Sequence, residues 1–182
     1  MSLGTLAVGA FFAISGYLVT ASLLARPSLA DFARARARRI YPGLWVAFAL
    51  TVFVLGAGFT TLGLAEYLSH PRTWFYVLKN ATLMFGFVDR LPGVFGDLPY
   101  PRVVNGSLWT LPVELRLYVA LAALQWTLLR WRRPGASLGP VVLLVAAVCV
   151  AMVGWRGEGA SPVLRFTAMF FTGAALQLYR RR

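Results

Sequence analysis

Residues 105–119 read NGSLWTLPVELRLYV, and with the following ALAALQWTLL they form a run apolar enough to cross a bilayer that nonetheless carries Glu114 and Arg116. A charge near the bilayer centre costs roughly 2.5 to 3.5 kcal/mol on the insertion scale. Residues two apart on a helix point to nearly opposite sides, so neither charge can serve as the other's partner. Each needs a neighbour from elsewhere. At 1.5 Å per residue from Ser107, Glu114 lies about 10 Å into the span. An intramembrane carboxylate at that depth reads as a functional acid or binding group, with a helix-locking ion pair as the alternative. Arg116 has a stem long enough to snorkel.

The local signals around this pair are specific. Asn105-Gly106 marks a turn, and Ser107 is the expected N-cap of the helix that follows. Pro112 falls inside that helix and is expected to kink it near its outer end. Thr110, Glu114, Tyr118 and Gln125 recur at helical spacing as a polar stripe, which should face protein or water.

Hydrophobic residues make up 59% of the chain and the mean hydropathy is +0.68, against about 45–50% apolar residues in soluble domains. The expected solvent is therefore a lipid bilayer. A formal net charge of +12 would suggest nucleic acid in a soluble protein, but the basic residues cluster in short runs between apolar segments. They report topology, and no nucleic-acid partner is expected. The single cysteine, Cys149, excludes an internal disulfide and reads as a small buried hydrophobe.

Segments 3–25, 40–64, 107–129 and 138–155, with the shorter 163–179, have the length and apolarity of membrane helices. Segment 73–88 carries Lys79 and Asn80 at its middle and reads as re-entrant or interfacial. The expected fold is thus all-α, a polytopic bundle of about five spans plus that one segment. Arginine placement agrees. The clusters Arg26 to Arg39, Arg130 to Arg133 and Arg180 to Arg182 all fall on the cytoplasmic side only if 73–88 does not cross. The first span then runs inward from outside, an orientation that predicts a preceding helix. Pro71, Pro92, Pro99 and Pro101 mark stretch 65–106 as an ordered external loop with turns rather than another helix.

Two further stretches carry candidate chemistry. In GAFFAISGYLVT, Gly9, Ala13, Gly16 and Thr20 share one helix face suited to close packing, while Ser15 and Tyr17 place hydroxyls in an apolar setting. In ARARARRIYPGLW, a solvated cytoplasmic loop accounts for most of the arginine. Arg36 and Arg39, three apart at the membrane surface, also suit a phosphate or an anionic headgroup.

Taken in order and at these separations, GAFFAISGYLVTASLL, RARRIYPGLWV and NGSLWTLPVELRLYV resemble the motifs of the membrane acyltransferase 3 family. The resemblance covers residues 8–121. It implies a membrane-helix bundle that moves an acyl group, commonly acetyl from cytoplasmic acyl-CoA, onto a carbohydrate hydroxyl on the other face. It also implies residence in the bacterial cytoplasmic membrane and no bound cofactor or metal. By the same resemblance Ser15, Gly16 and Tyr17 match the family's Ser-Gly-aromatic motif, and Arg36, Arg39 and Pro42 its Arg-x-x-Arg-Ile-x-Pro. Ser107, Trp109, Glu114 and Tyr118 match its Ser-Leu-Trp motif with the following Val-Glu and Tyr. This makes Glu114 the candidate catalytic residue, and Arg36, Arg39, Ser15, Tyr17, Ser107, Trp109 and Tyr118 candidate substrate-binding residues.

The family's arginine and histidine pair belongs to a helix ahead of the Ser-Gly-aromatic span. Residues 1–182 are accordingly expected to form one domain, incomplete at its start and at its end and inactive alone. His70, the only histidine, lies in SHPR on the external loop and is expected to play no catalytic part. A transporter, a lipid-binding membrane protein or a catalytically inactive accessory subunit would carry the same buried charges. The topology is testable with introduced cysteines. In intact cells, Ser28→Cys and Arg132→Cys should resist impermeant thiol reagents, whereas Gly96→Cys should label; labelling at position 132 without permeabilisation would make 73–88 a true span.

Overall fold

The computed structural model describes residues 3–26, 28–83, 86–96, 102–131 and 137–180. Helix α1 is Leu3–Leu24. Helix α2, Leu29–Ala49, runs on through a π-helical stretch, Leu50–Gly56, and a last turn, Ala57–Phe59. Short helices α3, Leu64–Ser69, and α4, Pro71–Ala81, follow. Helix α5, Thr110–Trp131, is entered through a 3-10 turn, Gly106–Trp109, and α6, Leu138–Arg156, is joined through the turn Gly157–Gly159 to α7, Pro162–Tyr179. No strand occurs among the described residues; Thr60 and Val94 form an isolated antiparallel bridge.

Four helical stretches, Leu3–Leu24, Leu29–Phe59, Gly106–Arg130 and Leu138–Gly159, are long and apolar enough to cross a membrane. The chain is an integral membrane protein. The expected fifth span forms as α7, with 18 residues, but Arg165, Thr167, Thr172 and Gln177 dilute its apolarity and it does not join the four. The second helix also begins earlier than expected. The arginine run expected in a loop is helical, because Ser28 and Asp31 start the helix at Leu29: the Asp31 N–H donates to the Ser28 hydroxyl at 3.1 Å, and that hydroxyl donates to the Asp31 carboxylate at 2.6 Å.

The described residues gather in two compact units, one comprising Met1–Ala33 and Arg116–Arg182, the other Arg34–Leu115. In the first, α1 lies against α7 at backbone distance. A Cβ added at Gly16 would fall 1.9 Å from the Phe170 carbonyl oxygen, and one at Gly173 would fall 1.9 Å from that of Ala13. The small face expected on α1 is therefore a helix crossing, with Gly9, Gly16 and Thr20 buried in it. Phe12 stacks on Phe166 with ring centroids 5.0 Å apart, and the Thr20 hydroxyl donates to the Gly16 carbonyl at 2.8 Å. The turn before α7 is closed by Arg165, whose guanidinium donates to the carbonyls of Ala160, Gly157 and Glu158.

In the second unit, Leu44, Phe48, Val52, Tyr67, Tyr76, Leu83, Leu91, Val94 and Val104 form one core. This core ties down Leu91, Val94 and Val104 of the stretch that follows α4, but where the prolines suggested turns rather than another helix the chain forms α3 and α4, with Pro71 opening the second. Helix α4 has 11 residues, so at 1.5 Å each it reaches about 16 Å, half of a hydrocarbon core of about 30 Å. It buries Thr73, Tyr76 and Asn80 and exposes Trp74, Phe75 and Leu78, the pattern of a helix lying in an interface. Asn80, the oddity in this segment, donates from Nδ2 to the Val88 carbonyl and accepts from the Val88 N–H, both at 2.8 Å. The returning chain is held further by Thr60, whose hydroxyl donates to the Pro92 carbonyl, and by Thr61, whose N–H donates to that of Gly93.

Because the colliding atoms at the α1–α7 crossing are backbone, neither helix can yield locally. Gly16→Ala and Gly173→Ala should each cost about 1 to 3 kcal/mol as overpacking, read as a lower melting temperature in detergent, whereas Gly58→Ala, with open space around it, should not.

Candidate functional site

The candidate residues fall in both units, and each set has its own geometry. In the first unit the Ser15 and Tyr118 hydroxyls lie 3.1 Å apart in a hydrogen bond, both side chains buried. The Tyr118 ring sits beside Phe170, centroids 6.2 Å apart. Each hydroxyl thus finds in the other the partner that an apolar setting demands. Tyr17 accepts a 2.6 Å hydrogen bond from Nη1 of Arg180. That pairing was not visible in sequence, since the residues lie at opposite ends of the chain. Near the C-terminal ends of α1 and α5, an open cavity of about 340 Å³ lies among Leu24, Gln125, Leu128, Ser137, Gly139 and Tyr179.

In the second unit Arg36 and Arg39 ride on α2, where Arg39 is exposed and Arg36 has two guanidinium nitrogens shielded from solvent. Glu114 lies on the first turns of α5 and is 6% exposed. Ser107 and Trp109 are exposed on the 3-10 turn that leads to it.

Two expectations about this turn need correction. Ser107 is not an N-cap. The chain enters through a 3-10 turn whose capping position is Asn105, with φ 55° and ψ 43° and no side-chain capping bond. The Leu108 N–H donates to the Asn105 carbonyl at 3.0 Å, so the turn is already closed before Ser107 could cap it. The Pro112 kink is also replaced, since the 3-10 geometry gives way to α at Thr110. Pro112 therefore stands in the first α-helical turn, where a missing N–H costs no bond.

Sequence reading also missed the polar side chains beneath this turn. Asn105 donates through Nδ2 to the Thr51 hydroxyl, within the π-helical stretch. The Tyr76 hydroxyl, wholly out of solvent, sits beside the same two side chains. Tyr67 donates to the Val52 carbonyl at 3.1 Å, and a Cβ at Gly56 would fall 1.9 Å from its hydroxyl oxygen. Burial, with Tyr76 nearby, pushes the Tyr67 phenol up to about 12, so it remains a donor at neutral pH. The only hint in sequence was the Asn-Gly turn signal; the partners lie far away in the chain.

His70 has a structural job. Its Nδ1 accepts from the Arg72 N–H at 3.1 Å, and Pro71 opens α4 directly behind it. Among the described residues, no three His, Cys, Asp or Glu side chains gather where a metal ion could be held.

The whole of 1–182 matches the family described as an acyltransferase domain. This chain belongs to the acyltransferase 3 family. It is 31% identical over 192 residues to a protein of Shigella phage Sf6 named O-acetyl transferase, an alignment covering 99% of this chain and 53% of the phage protein. It is 35% identical over 183 residues to Nodulation protein 10 of Rhizobium leguminosarum bv. viciae, covering 96% and 49%. The acyltransferase 3 chain described here therefore spans about half the length of the curated relatives it matches. No solved structure matches it.

With His70 as a cap, His70→Asn should keep the α4 start intact, since Asn also caps well, whereas His70→Ala should cost about 0.5 to 2 kcal/mol. The loss should show as faster hydrogen exchange at the Arg72 and Thr73 amides.

Proposed function

We propose that this chain is the motif-bearing part of an integral membrane O-acyltransferase that moves an acyl group, commonly acetyl, from acyl-CoA to a carbohydrate or lipid-linked glycan hydroxyl. The host membrane on this reading is the bacterial cytoplasmic membrane, with donor and acceptor arriving from opposite faces. The observation that carries the proposal is the buried carboxylate of Glu114 behind the ordered turn of Ser107 and Trp109, in a chain that matches the family from end to end. The name of the phage relative supports acetyl as the group and oxygen as its acceptor.

The chemistry assigns simple roles. The acceptor oxygen attacks the thioester carbonyl, the carbon–sulfur bond breaks, and the hydroxyl proton leaves through a base while the thiolate takes a proton. Arg36 and Arg39 suit the donor's phosphates, because guanidinium groups three apart on a helix share a face and offer paired donors. Trp109, 38% exposed, offers an aromatic face to a sugar. Glu114 receives or steers the acceptor proton, an effect typically worth about 10² to 10⁴ in rate.

Glu114→Gln keeps size and hydrogen-bonding reach while removing the charge. In a complete version of the protein, as long as the curated relatives, transfer of labelled acetyl by membranes should fall roughly 10²-fold or more, with the amount of membrane-inserted protein unchanged. Full activity in Glu114→Gln would remove the carboxylate from the chemistry, and loss of the protein from the membrane would make Glu114 a structural ion-pair partner.

A further inference from the structure

We propose that Asn105 is a positioning residue: its side-chain amide, latched to Thr51, fixes the turn that presents Ser107 and Trp109 and leads into Glu114. Four observations within the second unit converge on it. First, the Asn105 backbone is left-handed, with φ 55°, a conformation in which Asn is among the few tolerated side chains other than Gly. Second, the residue before it is fixed, with Val104 1% exposed and its N–H bonded to the Asp89 carbonyl at 2.6 Å. Third, its own carbonyl starts the 3-10 turn by accepting from the Leu108 N–H. Fourth, its amide, which could have served the turn as a cap, reaches away to Thr51.

The partner is placed as deliberately as the latch. Thr51 is 1% exposed and lies in the π-helical stretch Leu50–Gly56, and widened helical turns of this kind are frequent at functional sites. The Tyr76 hydroxyl is buried beside the same pair. An amide donor bonded to a buried hydroxyl has few alternative orientations, so the carbonyl that begins the turn is fixed in direction. Ser107 and Trp109 follow within one turn and Glu114 within the next three. Asn105 touches no reacting atom in this account; it sets the angle at which the motif enters the membrane.

The test separates the side chain from the backbone. Asn105→Gly keeps the left-handed conformation and removes the amide. Thr51→Val removes the acceptor at nearly constant shape, and Thr51→Ser restores it. A nitroxide on Ser107→Cys, in the full chain with Cys149→Ala and in phospholipid vesicles, reports the turn directly. The expected spectrum is motionally restricted in the parent and mobile in Asn105→Gly and in Thr51→Val. It should be no more mobile in the double variant, because both changes break one contact, and Thr51→Ser should return the parent spectrum. An unchanged spectrum in Asn105→Gly, or mobility in Asn105→Gly but not in Thr51→Val, would overturn the latch.

The catalytic consequence rests on the acyl-transfer reading. In unlabelled membranes, with residues 1–182 carried in a form of the protein as long as the curated relatives, Asn105→Gly and Thr51→Val should lower kcat roughly ten- to a hundredfold with the KM for acetyl-CoA unchanged. An unchanged kcat in variants whose label has become mobile would overturn the positioning role. Absence of transfer from every such longer form, parent included, with the spectral pattern intact would sink the acyl-transfer reading and leave the latch standing.

Discussion

A hydrocarbon solvent offers no hydrogen-bond partners, and that single constraint organises this protein. Every hydroxyl or amide carried into an apolar interior must find its match within the chain. The matches are specific. Ser15 meets Tyr118 and Thr20 bonds its own helix in one unit; Tyr67 reaches the Val52 carbonyl, Asn80 holds both groups of Val88 and Asn105 reaches Thr51 in the other. Each bond is modest in isolation, but each forbids the alternatives in which its members stand unsatisfied. Polar residues thereby act as locators, while the apolar residues around them supply bulk.

The same constraint explains why so much could be read from the sequence. Apolar length, arginine placement and the glycine face of the first span report on lipid and on helix packing, and these are local properties. They located α1, α5 and α6 closely and put Gly9, Gly16 and Thr20 on the buried side of α1. The short segment with Lys79 and Asn80 at its centre forms a helix of 11 residues, too short to cross. Glu114 is buried, as its depth in the span suggested.

What escaped reading depends on partners distant in sequence. The arginine run looked like a loop because charge was weighed above the Ser28 and Asp31 helix start. Ser107 looked like an N-cap because serine in that position usually is one, whereas the preceding carbonyl had already closed a tighter turn. Nothing local in LTVFVLG announces a π-helix, and no pattern links Asn105 to Thr51, 54 residues earlier. Parts of the arginine clusters, Arg132, Arg133, Arg181 and Arg182, lie outside the described residues, as do Pro99 and Pro101.

The closed turn before α7 bears on how the protein enters a membrane in the first place. Insertion machinery weighs each segment by its apolarity, and α6 passes easily, as the most hydropathic of the four stretches able to cross, whereas α7 falls short of them. Yet only a tight turn separates the two helices, and Arg165, the one cation of α7, is occupied by three carbonyls of that turn. A translocon that read one segment at a time would accept α6 and hesitate at α7. Were the two helices delivered as a hairpin, with the guanidinium satisfied by the turn, the apolarity of α6 would carry α7 with it. α1, synthesised far earlier, would already be there to offer the backbone groove that fits Gly173.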